Sequence, residues 1–145
     1  MRIIVAGGGT IGLQAAQRLS ADGHEVTIIE LSAARALRLR QLGLRTVRGD
    51  AAVLPALEAA GALRAEVLAA CTGTDEENLL ISFVSKRHFA IGRVAALVNN
   101  PENAWLFDKS WGVDAALSPT AALLSLIGQE PSGGLPGTAR AGKLS

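Results

Sequence analysis

The feature that most restricts this chain is a glycine turn, Gly7-Gly8-Gly9-Thr10-Ile11-Gly12, set between a short apolar run and an amphipathic one. Ile3-Ile4-Val5-Ala6 is continuous and apolar, which predicts a strand buried on both faces. After the turn, Ile11, Ala15, Ala16 and Leu19 recur at helical spacing until Asp22-Gly23 ends the run. Strand, G-x-G-x-x-G and helix in that order give each glycine a task. Gly7 permits the tight turn, Gly9 lets the main chain approach a diphosphate, and Gly12 lets the helix lie close to the strand. The helix N-terminus supplies free N–H groups and a partial positive charge, so Thr10 and Ile11, which open it, join the candidate contacts.

A second apolar strand, Val26 to Ile29, ends at Glu30, where a carboxylate can accept both hydroxyls of a ribose. Hydrogen bonds to a charged group contribute on the order of 1.5–3 kcal/mol each, so Glu30 is expected to supply much of the adenosine affinity. The same charge repels a 2′-phosphate, and the following Leu31-Ser32 offers no arginine. NAD(H) or an adenine nucleotide is therefore favoured over NADP, with Leu31 counted beside Glu30 at the site. The plainer alternative makes the glycines mere turn residues and Glu30 a solvated strand end. A Walker-type loop is excluded because no Gly-Lys-Ser/Thr follows the glycines. A methyltransferase sheet usually carries an acidic residue into its glycine turn, where this chain has Val5-Ala6.

The alternation continues along the chain. Ser32 caps a helix to about Leu42, Thr46-Val47 is a weak third strand, and Pro55 to Ala60 is a short helix stopped by Gly61. Glu66 to Cys71 reads as a strand. Thr74-Asp75-Glu76-Glu77 is a capping box opening a helix to about His88, with Glu77 expected to reach back to the cap. Arg93 to Val98 and Val113 to Leu117 are the fifth and sixth strands. Asn100-Pro101 and Ser118-Pro119 each start a helix, the last ending near Gly128. The expected architecture is α/β: a Rossmann-like, doubly wound, parallel six-stranded sheet with helices on both faces, spanning residues 1–128. Residues 129–145, rich in Gly and Pro, are expected to form a flexible tail.

Composition narrows the function. The 145 residues are 49% hydrophobic and 19% charged, enough apolar material for one packed domain. The absence of Tyr removes every mechanism needing a catalytic tyrosine. A net charge of +1 gives no electrostatic case for nucleic acid or anionic lipid. One cysteine, Cys71, allows neither an internal disulfide nor a zinc site, so a metal-free, cytoplasmic chain is expected. No apolar run reaches the roughly 18–20 residues a membrane span needs.

Beyond the glycine turn and Glu30, the blocks Gly49-Asp50, Thr72-Gly73-Thr74-Asp75-Glu76-Glu77-Asn78 and Val98-Asn99-Asn100-Pro101-Glu102 occur in a distinctive order. Together they resemble the TrkA N-terminal domain, the RCK or KTN nucleotide-binding domain of bacterial potassium-transport regulators, over about residues 1–128. The resemblance implies a non-catalytic regulatory subunit that binds NAD(H), ADP, AMP or ATP and controls a membrane potassium channel or transporter. It would be cytoplasmic and peripheral at the inner membrane through that partner. It also places Asp50 and the adjoining Ala51 by the adenine and Thr72-Gly73 along the ligand cleft. Asp50 reads equally as a loop-capping carboxylate. Relatives that carry a basic residue where this chain has Leu97, or an Arg inside the turn where it has Thr10, would grip phosphates more tightly. NAD(H), ADP or AMP is thus favoured over ATP. The family's usual second regulatory domain is not seen after Gly128.

A small NAD-dependent oxidoreductase or a redox-sensing Rossmann protein is the alternative, but a dehydrogenase needs a substrate domain and a proton carrier. His24 and His88 fall at element edges, and Cys71 reads first as a small core residue and second as a redox sensor. The helix carrying Leu79, Leu80, Ile81, Phe83 and Val84, and the last helix with Leu123, Leu124, Leu126 and Ile127, are too broadly apolar for one buried stripe. A homodimer or higher oligomer through these helices is expected. Trp105, Phe107 and Trp111 either join that seam or close the monomer's own core.

Overall fold

A computed structural model describes residues 1–129. Six strands, β1 (Arg2–Ala6), β2 (Glu25–Glu30), β3 (Arg45–Arg48), β4 (Val67–Ala70), β5 (Arg93–Leu97) and β6 (Ala115–Leu117), pair in parallel in the order β3-β2-β1-β4-β5-β6. Five helices connect or follow them: α1 (Thr10–Ala21), α2 (Ala33–Gln41), α3 (Leu54–Ala59), α4 (Asp75–Arg87) and α5 (Pro119–Leu126). The expected doubly wound sheet is therefore present, with its switch point between β1 and β4. The expected tail falls outside the described residues except for Gln129.

The strand period sorts the core into two layers. Ile3 and Val5 of β1, with Val26 and Ile28 of β2, pack on Ala16 of α1 and Leu39 of α2. Ile4 and Ala6 point the other way and join Leu68, Ala70, Val94 and Ala96 beneath Leu57 of α3 and Leu79 and Ile81 of α4. This second layer is much the larger. Over β4, β5 and β6 the α1 side keeps only a shallow apolar groove lined by Ala69, Ala95, Ala115 and Leu117.

At the start of each strand, or one residue before it, stands a charged residue. Across the sheet these are Arg45, Glu25, Arg2, Glu66, Arg93 and Asp114, so the signs alternate from strand to strand. Arg2 Nε lies 3.1 Å from Glu25, and the Arg2 N–H donates to Glu66 at 2.9 Å. Asp114 accepts from the Val94 N–H at 2.8 Å and from Lys86 at 2.6 Å. Burial acts to raise the Asp114 carboxyl, but the Lys86 ammonium and the Val94 N–H outweigh it and hold it below the ordinary range.

Two local expectations change, and one open alternative is resolved for Phe107. The segment after Asn100-Pro101 forms not an α-helix but two 3₁₀ turns, Pro101–Leu106 and Lys109–Trp111. Its N–H groups reach only three residues back, Asn103 to Asn100 and Phe107 to Ala104, and its first residues are pinned to Asp75. The capping box is half made: the Thr74 hydroxyl accepts the Glu77 N–H at 3.3 Å, while Glu77 lines a cleft at the carboxyl ends of the strands and does not return to the cap. Phe107 is buried in the core, whereas Trp105 is 68% exposed and Trp111 stacks edge-on against Phe83.

Candidate functional site

At the carboxyl ends of the strands, around the switch point, lies a cleft of about 430 Å³. Its floor is the glycine turn. Gly7 sits at φ +103°, and a Cβ there would lie 2.7 Å from the Cys71 carbonyl oxygen, so only glycine lets β1 turn beside β4. A Cβ on Gly12 would fall 1.9 Å from the Gly7 carbonyl oxygen, which is how closely α1 packs on the turn. Gly12 is buried beneath the floor and does not line the cleft. Beside Gly9 the space is open: a Cβ there would meet nothing within 4 Å.

Gly9 also caps α1 without a side chain, so no side-chain oxygen receives the first-turn N–H groups. The first helical bond runs from the Leu13 N–H to the Gly9 carbonyl. No acidic residue occupies that turn, and Thr10 and Ile11 both line the cleft. The N-terminus of α1 is thus free to receive an anion. α4 starts oppositely, with Asp75, Glu76 and Glu77 in its first turn, which disfavours an anion there.

Glu30 stands at the end of β2, only 5% exposed yet on the cleft wall. One oxygen, Oε1, accepts the Gly8 N–H at 2.9 Å; the other, Oε2, accepts the Ser32 N–H at 2.7 Å. Arg35 Nη1 approaches Oε1 at 3.4 Å. Glu30 therefore ties the glycine turn to the start of α2 besides facing the cleft. It is not the solvated strand end of the plainer reading. Leu31, 62% exposed, follows it on the rim.

Asp50 and Ala51 line the same wall. Asp50 serves its loop as well, since its Oδ1 accepts the Ala52 N–H at 2.9 Å. Ala51 is buried and belongs to the larger core layer. Across the cleft Thr72 and Gly73 continue from β4. Ten of the eleven expected residues, Gly7, Gly9, Thr10, Ile11, Glu30, Leu31, Asp50, Ala51, Thr72 and Gly73, thus share one cleft, and Gly12 alone lies beneath it.

Sequence reading missed what holds the β4–β5 side together. Asn78, fully buried, accepts the Thr72 N–H at 2.9 Å and donates to the Leu97 carbonyl at 2.9 Å, so it bolts β4 to β5 at the cleft. Asp75 accepts the Asn99 N–H at 2.6 Å, the Asn100 N–H at 2.9 Å and the Asn103 amide at 2.8 Å. Burial acts to raise the Asp75 carboxyl, but the Asn103, Asn99 and Asn100 donors prevail and hold it below the ordinary carboxylate range. The two sequence blocks thus bond to each other, a relation that no local spacing reveals. Arg35, Glu77 and Asn99 are further cleft residues that the sequence reading did not assign to the site.

Among the described residues the acids lining the cleft are Glu30, Asp50 and Glu77, and Arg35 is its one cation. Cys71 borders it, but burial pushes its thiol up, away from a reactive thiolate. Among the described residues no group of His, Cys, Asp and Glu is arranged to hold a metal ion, and no helix is long and apolar enough to cross a membrane.

Comparison with known proteins follows the same lines. The TrkA-N domain family matches residues 3–119. The Trk system potassium uptake protein TrkA of Mycobacterium tuberculosis is 39% identical over 129 residues, 88% of this chain and 58% of that protein. The chain thus spans little more than half the length of that relative. The TrkA-N domain of the inner membrane protein YbaL from Escherichia coli has the same fold, with a TM-score of 0.79 at 19% identity over 87% of this chain and 93% of that one. The Shewanella denitrificans Kef CTD in its AMP-bound form has a TM-score of 0.73 at 25% identity, over 88% of this chain and 79% of that one.

Proposed function

The chain belongs to the TrkA-N domain family, and from that premise we propose that it is the nucleotide-sensing part of a potassium-uptake regulator. It binds NAD(H) or an adenine nucleotide in the cleft and passes its occupancy to a membrane potassium channel or transporter, without catalysing a reaction. The observation that carries this reading is the meeting, in one cleft, of a bare helix N-terminus for phosphates and the Glu30 carboxylate for a ribose. The AMP-bound state of the similar Kef domain supports the adenosine part. The uptake-protein name of the M. tuberculosis relative supports the transport part.

NAD(H), ADP and AMP are the favoured ligands. Thr10 and Leu97 bring no positive charge to the phosphate end, so a third phosphate would gain little from the protein. Asp50 and Ala51 contact the adenine side, and Thr72 and Gly73 the far side. Two copies meet through α5 and the residue that ends it, where Leu123, Leu126 and Ile127 are exposed, and through Leu80 of α4. Ligand then shifts the population between two arrangements of that seam, to the extent that it binds one more tightly. The regulator works in the cytoplasm, against the inner membrane where its partner sits.

Thermal denaturation with NAD, NADH, AMP, ADP and ATP tests the reading. Saturation at a hundredfold over Kd should stabilise the chain by about 2.7 kcal/mol. ATP should be bound no better than ADP. A melting point unmoved by all five would refute nucleotide sensing.

A further inference from the structure

We infer that Arg35 is a specificity-determining residue at the adenosine end of the cleft. It competes with the ribose diol for Glu30, so a ligand with both 2′- and 3′-hydroxyls must displace it, whereas a 2′-deoxynucleotide need not. The inference rests on the nucleotide reading proposed above.

The argument is a count of acceptor sites. A carboxylate offers about four lone-pair positions, two on each oxygen. On Glu30, Oε1 is filled by the Gly8 N–H at 2.9 Å and by Arg35 Nη1 at 3.4 Å. Oε2 holds the Ser32 N–H at 2.7 Å and keeps one position open. By this count one ribose hydroxyl can be accepted without displacing a partner. A vicinal diol brings a second donor, and one existing partner has to leave.

The partner that can leave is Arg35. Gly8 and Ser32 donate through main-chain N–H groups fixed by the glycine turn and by the start of α2. The Arg35 contact is the longest of the three, and its side chain is half exposed, free to swing outward at little cost. Its backbone role is separate from its side chain: the Arg35 N–H donates to the Ser32 hydroxyl that caps α2, a bond any residue but proline keeps.

Removing the guanidinium has two effects that must be told apart. As the one cation among the described residues lining the cleft, Arg35 attracts the phosphates of any nucleotide, with or without the 2′-hydroxyl. As a competitor for Glu30, it opposes only the diol. A ratio of affinities cancels the first effect and keeps the second.

The experiment measures ADP and 2′-deoxy-ADP binding by calorimetry to the full chain and to Arg35→Ala. The substitution sits on an exposed helical position and replaces Arg with a better helix former, so folding is retained. The preference for ADP over 2′-deoxy-ADP should rise about two- to fivefold in the variant, the range an exposed ion pair covers. Equal changes in both affinities would overturn the competition and leave the nucleotide reading standing. A lowered preference would overturn it too, by making Arg35 a direct partner of the diol. If neither nucleotide binds the unaltered chain, the site reading falls and takes this inference with it.

Discussion

Replacing Asp75 by asparagine probes a side chain that accepts three hydrogen bonds beside the cleft. Its two oxygens accept three donors from the segment after β5: the Asn99 N–H on Oδ1, and the Asn100 N–H and Asn103 amide on Oδ2. An asparagine oxygen in the Oδ2 position keeps two of these bonds without their charge assistance and turns its own NH₂ against the Asn99 N–H. One donor in a partly buried place is then unsatisfied, which costs about 1–3 kcal/mol. We expect a loss of about 2 kcal/mol at pH 7, a fall in Tm of roughly 6–8 °C for a domain of this size.

The pH dependence gives the sharper test. The folded-state pKa of Asp75 lies below its ordinary value, so its carboxylate contributes stability above the unfolded pKa, about 4. That contribution disappears as pH falls through the lowered folded-state value. The amide of the Asp75→Asn variant does not titrate, so chemical denaturation of the two proteins should show a stability gap that is widest at neutral pH and narrows below about pH 4. Asp108 and Asp114 are also held low, but they are common to both proteins and cancel in the difference. A gap that stays constant from pH 7 to pH 3 would refute the view that the ionised carboxylate organises this segment.

Gly12→Ala should cripple the phosphate end, because its Cβ would fall 1.9 Å from the Gly7 carbonyl; circular dichroism should show a lower Tm, and calorimetry a loss of nucleotide affinity of about tenfold or more. Glu30→Ala should reduce stability by about 2–4 kcal/mol as well as nucleotide affinity, since the Gly8 and Ser32 N–H groups lose a charged acceptor. An unchanged denaturation midpoint would contradict the tie between turn and helix. The raised Cys71 thiol should react slowly with iodoacetamide at pH 7, and ADP should slow it further; mass spectrometry of the alkylated peptide measures both rates.

Much of this fold is written in short-range patterns. The glycine turn, the apolar runs of β1 and β2 and the hydroxyl caps at Ser32, Thr74 and Ser118 each act within a few residues, and each occurs where the sequence indicates. What was not legible depends on partners far away in the chain. Asp75 reads locally as part of a capping box, yet its bonds go to residues 24 to 28 positions onward. Asn100-Pro101 is a sound helix start by local rules, and the anchorage on Asp75 accompanies the 3₁₀ turns that form instead. Glu30 was readable as a cleft residue, but its second task, and the arrival of Arg35 beside it, become visible only when the turn after β1 meets the turn after β2.

The alternating row at the opening edge of the sheet leaves the rim held by exposed charge where the interior is held by aliphatic packing. β1 and β2 are matched by charge at their first residues, where Arg2 and Glu25 are level in the register and 3.1 Å apart. Both partners of that pair are more than half exposed, so it contributes no more than about 1 kcal/mol. Added salt, which screens such a contact, should therefore loosen the rim while leaving the aliphatic interior largely untouched.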